Sequence, residues 1–104
     1  MDQMQLIKRT LDIRKGGEKA ALATIIRTKG STPRKIGSRM IVFPCGRIEG
    51  TIGGGCGEAE VIEKAFEVMQ TNTPSQKRVD LTKGLFYEDG GICGGIMDVF
   101  IEPI

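Results

Sequence analysis

The chain passes from a predicted strand into its clearest predicted helix through residues 51–60, T-I-G-G-G-C-G-E-A-E. Apolar residues recur at helical spacing just after it, at Val61, Ile62, Ala65, Phe66 and Met69. Three adjacent glycines, Gly53, Gly54 and Gly55, exceed what a tight turn needs, and they would let a ligand approach the backbone closely. The stretch therefore predicts an anion site at a helix N-terminus, where the pKa of the Cys56 thiol is lowered. The alternative is a plain turn with a small buried cysteine.

The rest of the chain predicts one layered domain. Asp2 caps a first helix with an apolar stripe of Met4, Ile7 and Leu11, ended by the glycines at 16 and 17. Strands are predicted at 20–26, 40–43, 47–52, 77–81 and 96–101, with the second helix at 56–70. This order predicts an α/β or α+β fold over residues 1–104, with two helices and a mixed sheet of about five strands.

Composition narrows the classes of function. The chain has 104 residues, a net charge of +2, three cysteines and no histidine, so imidazole catalysis and His-ligated metal sites are excluded. Neither a membrane span nor a signal peptide is predicted, which makes the cytoplasm the expected location and the cysteines free thiols. Residues 19–48 carry basic but no acidic side chains and predict an anionic ligand or partner. The small number of aromatic residues argues against binding of nucleic acid.

Two further segments are candidate parts of a site. Cys93 precedes Gly94 and Gly95 in a predicted loop over residues 83–95, so two thiols each lie beside glycines. The segment G-S-T-P-R at 30–34 offers Ser31, backbone N–H groups and Arg34 to an oxyanion, with Arg39 adding charge. The alternatives are an irregular glycine loop and an ordinary exposed arginine. Cys45, in a predicted hairpin turn, is given no role.

Together, G-S-T-P-R at 30–34, G-G-G-C-G-E at 53–58 and C-G-G at 93–95 resemble the N-terminal domain of the XdhC/CoxI family. Its members are accessory proteins for molybdenum hydroxylases such as xanthine dehydrogenase and carbon monoxide dehydrogenase. The resemblance implies a non-catalytic chaperone that binds the molybdenum cofactor, helps it acquire a terminal sulfur from a cysteine desulfurase and delivers it to the apo-enzyme. It implies that Cys56 is the essential cysteine and a molybdenum contact. The other cofactor-binding residues would be Cys93, Gly53, Gly54, Gly55, Gly94, Ser31 and Arg34.

The sequence also departs from the family pattern. Longer members continue into a Rossmann-type domain, whereas this sequence ends at Ile104, so we expect a separate chain carrying that domain or a homo-oligomer. Gly57 stands where the family usually has a larger residue, which predicts a looser helix start. Two other functions stay open at this point. One is a thiol-dependent redox or sulfur-transfer protein, and the other is a subunit-interaction module without its own ligand.

Overall fold

A computed structural model describes residues 2–53, 55–83 and 94–104, without the side chains of Cys56 and Lys83. Two α-helices pack on a five-stranded sheet, which confirms the predicted layered domain. The helices are α1 (Gln3–Gly16) and α2 (Gly55–Thr71). The strands are β1 (Ala21–Lys29), β2 (Arg39–Val42), β3 (Ile48–Gly50), β4 (Ser75–Asp80) and β5 (Ile96–Pro103), and a 3-10 turn spans Leu81–Lys83.

The sheet has the strand order β3-β2-β1-β5-β4, and all four pairings among the described residues are antiparallel. This differs from the mixed sheet expected from the sequence. A parallel pair needs a long crossover, but β1, β2 and β3 follow one another through short reversals. After α2 the chain returns along the far edge as β4, and β5 runs antiparallel to both of its neighbours, β1 and β4.

Helix α2 covers one face of the sheet and forms the main core. Alternate residues of β1 and β5 point towards it, including Ala23, Ile25, Val99 and Ile101, all fully buried. Successive side chains of a strand point to opposite faces of the sheet, so the residues between these four point to the face away from α2. The apolar spacing predicted for α2 is confirmed at Val61, Ala65 and Met69 of that cluster, whereas Phe66 is 40% exposed.

Helix α1 covers part of the opposite face, near β2. Asp2 and Gln5 form the predicted N-terminal cap, and Gly17 ends the helix in the left-handed conformation. The buried residues of α1 are Leu6 and Ile13, whereas the predicted stripe is exposed: Met4 by 64%, Ile7 by 41% and Leu11 by 49%. Two apolar stripes lie side by side on this helix, and the sheet contacts the stripe of Leu6 and Ile13. Periodicity alone could not tell which of them would be buried.

The two helices can be compared with the length and apolar character that a membrane span requires. Neither α1 nor α2, the two α-helices of the described residues, is long and apolar enough to cross a bilayer.

Candidate functional site

The loop of residues 30–34 lies against both of the described glycine segments. Gly53 has a φ of +143°, and a Cβ there would overlap the Pro33 ring. On the other side, a Cβ on Gly95 would overlap the Ser31 carbonyl oxygen and lie 2.7 Å from that of Lys29. Gly30 meets the same segment, since its Cβ would lie 3.2 Å from the Gly94 carbonyl oxygen. Parts of all three sequence motifs therefore meet at one end of the sheet, and glycine is what allows the contact.

A hydrogen-bonded pair orders the turn that leads into α2. The Thr51 hydroxyl donates to the Glu58 carboxylate (2.5 Å) and accepts from the Gly53 N–H (3.0 Å). Glu58 lies in the first helical turn, where a negative charge also complements the helix dipole. No sequence motif indicates that Glu58 contacts Thr51. Its link to Thr51 fixes the backbone that enters the helix.

Close packing against the sheet holds the start of α2. A Cβ on Gly57 would lie 2.6 Å from Val79 Cγ1 and 3.5 Å from Met97 Cε. The expectation that Gly57 loosens the helix start is therefore wrong, because its missing side chain brings the first turn against β4 and β5. The backbone of Cys56 lies in this turn, as predicted.

The predicted site residues fall into two groups. Ser31, Arg34, Gly53 and Gly94 lie in or beside the 30–34 loop, and Ser31, Arg34 and Gly94 are exposed. Gly54 and Cys93 lie outside the described residues, and so does the side chain of Cys56, whereas the backbone of Gly55 begins α2. The shared site of Cys56 and Cys93 thus stays a prediction. Within the described part of the chain, no cluster of three or more His, Cys, Asp or Glu side chains could hold a metal ion.

A polar cleft of about 440 Å³ opens on the α1 side of this region. It is lined by Gln3, Arg34, Ser38, Arg39, Gly50 and Thr51. Arg39 Nη1 donates to the Gln3 side-chain oxygen (3.1 Å) and to the Gly37 carbonyl oxygen (3.3 Å), which are both neutral acceptors. Among the described residues, neither Arg34 nor Arg39 has a carboxylate within ion-pair distance. Thr51 links the cleft to the glycine turn, because it also binds the Gly53 N–H.

The sequence predicts Arg34 and Arg39 as site residues but not the rest of this lining. Gln3 begins α1, far from Arg39 along the chain, and only the packing of α1 on the sheet brings them together. The alternation of side chains along β2 does indicate the face of the sheet on which Arg39 lies. Met40 is buried under α2, so its neighbour Arg39 points to the opposite face.

A second arginine cluster lies on the same face, across β1 and β5, and the sequence motifs do not predict it. Asp98 is only 4% exposed and takes two hydrogen bonds from Arg78, at 2.9 and 3.4 Å, while Arg27 Nε lies 3.9 Å away. The Arg78 hydrogen bond, helped by the charges of Arg78 and Arg27 and opposed by burial, lowers the pKa of Asp98. The same pairing raises the pKa of Arg78. With Lys29 and Ile96 these residues line a cavity of about 200 Å³.

Comparison with known proteins identifies the family. The profile of the XdhC and CoxI family matches residues 13–80. The chain belongs to that family. This confirms the resemblance carried by the three motifs.

The chain spans less than a third of the length of each of the following relatives. The chain is 36% identical to a probable xanthine dehydrogenase component of Bacillus subtilis over 84% of its own length and 27% of the relative's. It is 31% identical to the molybdenum cofactor insertion chaperone PaoD of Escherichia coli over 65% of the chain and 21% of PaoD. A crystal structure of a xanthine dehydrogenase from Bacillus halodurans superposes with a TM-score of 0.80 at 29% identity, covering 99% of the chain and 30% of that protein.

Proposed function

We propose that this chain binds the molybdenum cofactor as cargo and delivers it to an apo molybdenum hydroxylase of the xanthine dehydrogenase or carbon monoxide dehydrogenase type. The observation that carries the proposal is the meeting of the family's motif segments at the 30–34 loop, beside two arginines without a carboxylate partner among the described residues. The name of the relative PaoD, a molybdenum cofactor insertion chaperone, supports the same role.

The described residues fit such a cargo chemically. The cofactor is an anionic pterin with a phosphate group and a molybdenum held by sulfur. Arg34 and Arg39 would attract its negative charge, and Gly94, where a Cβ would meet no atom within 4 Å, leaves the backbone open to close approach. A cysteine thiolate is a soft ligand that suits the metal, and the backbone of the proposed ligand Cys56 lies in the first turn of α2. Cys93, Gly54 and Gly55 would complete the site.

The proposal includes partners that act before and after binding. A cysteine desulfurase would supply the terminal sulfur of the cofactor, and an apo molybdenum hydroxylase would receive the loaded cofactor. The proposed partners also include a separate Rossmann-domain chain or a second copy of this chain. The chain itself would act as an accessory factor of the cytoplasm and not as an enzyme.

The first test is retention of the cofactor. We would purify the protein from a molybdenum-replete host, together with Cys56→Ala and the control Cys45→Ala, and measure released pterin by fluorescence after oxidation. Cys45 is an exposed free thiol in the turn between β2 and β3, at the opposite end of the sheet, so its removal should leave pterin retention unchanged. Cys56→Ala should lose most of the pterin. Equal pterin in the folded Cys56→Ala and wild-type proteins would contradict the role of this cysteine.

A further inference from the structure

We propose that the polar cleft lined by Arg34 and Arg39 is a subsite for a phosphate monoester. The inference deepens the proposed function and rests on it, because the phosphate of the molybdenum cofactor would be the natural occupant. The chemistry of the cleft would equally accept a phosphate monoester from another source, such as a nucleotide. The two sources are separated by the experiment below.

The positive charges of Arg34 and Arg39 are the first reason to expect an anion in the cleft. Most of the arginines of the domain face a carboxylate: Arg9 and Arg47 contact Glu49, and Arg27 and Arg78 contact Asp98. Arg34 and Arg39 line one cleft and, within the described ranges, contact no carboxylate. Two like charges in one cleft repel each other, so an anion bound between them relieves that repulsion. Phosphate suits arginine because the guanidinium offers a planar fork of donors.

The geometry around Arg39 is the second argument. Both of its hydrogen bonds use Nη1, to Gln3 and Gly37, and these bonds orient the guanidinium. Of its five N–H donors, those on Nη2 and Nε make no hydrogen bond to any described residue. The donor group is thus held in place by neutral partners while part of its binding capacity is left for a ligand.

The lining and size of the cleft are the third argument. Its volume of about 440 Å³ falls in the range of small-molecule sites and exceeds what a lone ion needs. Its lining side chains are all polar or charged, and Gly50 adds backbone only. A Cβ on Gly50 would lie 2.7 Å from the Arg39 carbonyl oxygen and 3.1 Å from a methyl carbon of Leu6. Glycine therefore lets β3, β2 and α1 close around the cleft.

Direct binding tests the inference. The fluorescent oxidised pterin derived from the cofactor would be titrated into the full chain in its phosphorylated form and after phosphatase treatment, with adenosine monophosphate as a third ligand. We expect the phosphorylated pterin to bind at least about tenfold more tightly than the dephosphorylated one, as charge-assisted hydrogen bonds imply. Arg39→Ala and Arg34→Ala should each remove most of this difference. Arg39→Lys, which keeps the charge but loses the fork, should remove part of it.

Arg14→Ala is the matched control, because Arg14 is exposed at the end of α1 and loses the same charge far from the cleft. It should leave the tenfold difference intact. Tight binding of adenosine monophosphate, lost in Arg39→Ala, would support a general phosphate monoester site, and a preference for the pterin would assign the site to the cofactor. Equal binding of the two pterin forms, or equal losses in Arg14→Ala and Arg39→Ala, would overturn the inference. Pterin retention that depends on Cys56 but not on Arg39 would overturn the subsite and leave the proposed function standing.

Discussion

Two arginine clusters lie on the same face and at the same end of the sheet, yet their surroundings differ. Arg27 and Arg78 flank Asp98, a carboxylate that is 4% exposed and takes two hydrogen bonds from Arg78. Arg34 and Arg39 line a cleft in which the orienting partners of Arg39 are the neutral side chain of Gln3 and a backbone carbonyl. In the first cluster a buried carboxylate offsets part of the positive charge, whereas among the described residues no carboxylate pairs with the arginines of the second.

This difference distinguishes arginines that stabilise the fold from arginines that we propose to bind a ligand. An internal carboxylate ties β4, β5 and β1 together across the sheet and offsets part of the positive charge that a ligand would feel. Neutral acceptors hold a guanidinium in place without cancelling its charge. The identity of the acceptor, and not the arginine itself, is therefore our reason for proposing the second cluster as the anion site.

The largest expected effect comes from breaking the backbone contact between the segments that lead to the two clusters. Gly95 precedes the strand that carries Asp98, and a Cβ on it would overlap the Ser31 carbonyl oxygen and lie 2.7 Å from that of Lys29, at the end of β1. Gly95→Ala forces a methyl group into these backbone atoms, and we expect a loss of about 2–3 kcal/mol in the free energy of unfolding. Chemical denaturation measures this loss.

Gly16→Ala is the control for that change. A Cβ at Gly16, in the last turn of α1, meets no atom within 4 Å. This variant should keep or slightly raise the stability, since alanine favours a helix. If Gly95→Ala were as stable as Gly16→Ala, the tight contact between the loops would be contradicted.

The next largest effect concerns the cluster of Arg27, Arg78 and Asp98. Asp98→Asn removes the charge that pairs with Arg78 and Arg27, and we expect a loss of about 1 kcal/mol at neutral pH because both arginines are largely exposed. The pKa of Asp98 is lowered in the folded state, so its stabilising effect is present above about pH 4 and is lost as the pH falls towards that lowered pKa. The gap between wild type and variant should therefore close in acid.

Denaturation at several pH values measures this gap. Glu102→Gln is the matched control, because Glu102 lies on the same strand and makes no ion pair with the described residues. Its stability should follow that of wild type at every pH. Binding of the phosphorylated pterin should survive in Asp98→Asn. A gap that persists undiminished in acid would show that the Asp98 charge is not its cause.

The sequence predicts those features that depend on local pattern. The glycine turn before α2, the N-terminal cap at Asp2 and the burial of Val61, Ala65 and Met69 follow from residue type and spacing. Strand β1 exceeds its predicted end because Arg27, Thr28 and Lys29 pair with β5 beyond a bulge, although their side chains are polar. Pairing with a neighbouring strand decided this boundary, and no local pattern carries that information.

The missed features depend on contacts between distant residues. Asp98 and Arg78 are cross-strand partners 20 residues apart, and Gln3 reaches Arg39 across 36 residues. Gly57 was expected to loosen a helix, but the nearby Val79 makes it a close contact. Such pairs become visible only when the register and the helix placement are known. The sequence therefore indicated the motif loops of the site but not the cleft beside them.

The smallest change tests the comparison most directly, because it turns the second cluster into a copy of the first. Gln3→Glu replaces the neutral acceptor of Arg39 by a carboxylate of nearly the same shape, 3.1 Å from Nη1 in the present geometry. The new charge also lies in the first turn of α1, so we expect a gain of about 0.5 kcal/mol in stability. Affinity for the phosphorylated pterin should fall by about threefold to tenfold, because the charge of Arg39 is then largely cancelled.

Titration of the same pterin into Gln70→Glu separates this local effect from a change in net charge. Gln70 is exposed near the end of α2 and undergoes the same substitution away from the cleft. We expect its affinity to match that of wild type. Unchanged affinity in Gln3→Glu would mean that the acceptor beside Arg39 does not control the cleft, and the distinction between the two clusters would fail. A more stable protein that binds phosphate less well would instead show that this domain gives up an internal ion pair in order to keep a charge for its ligand.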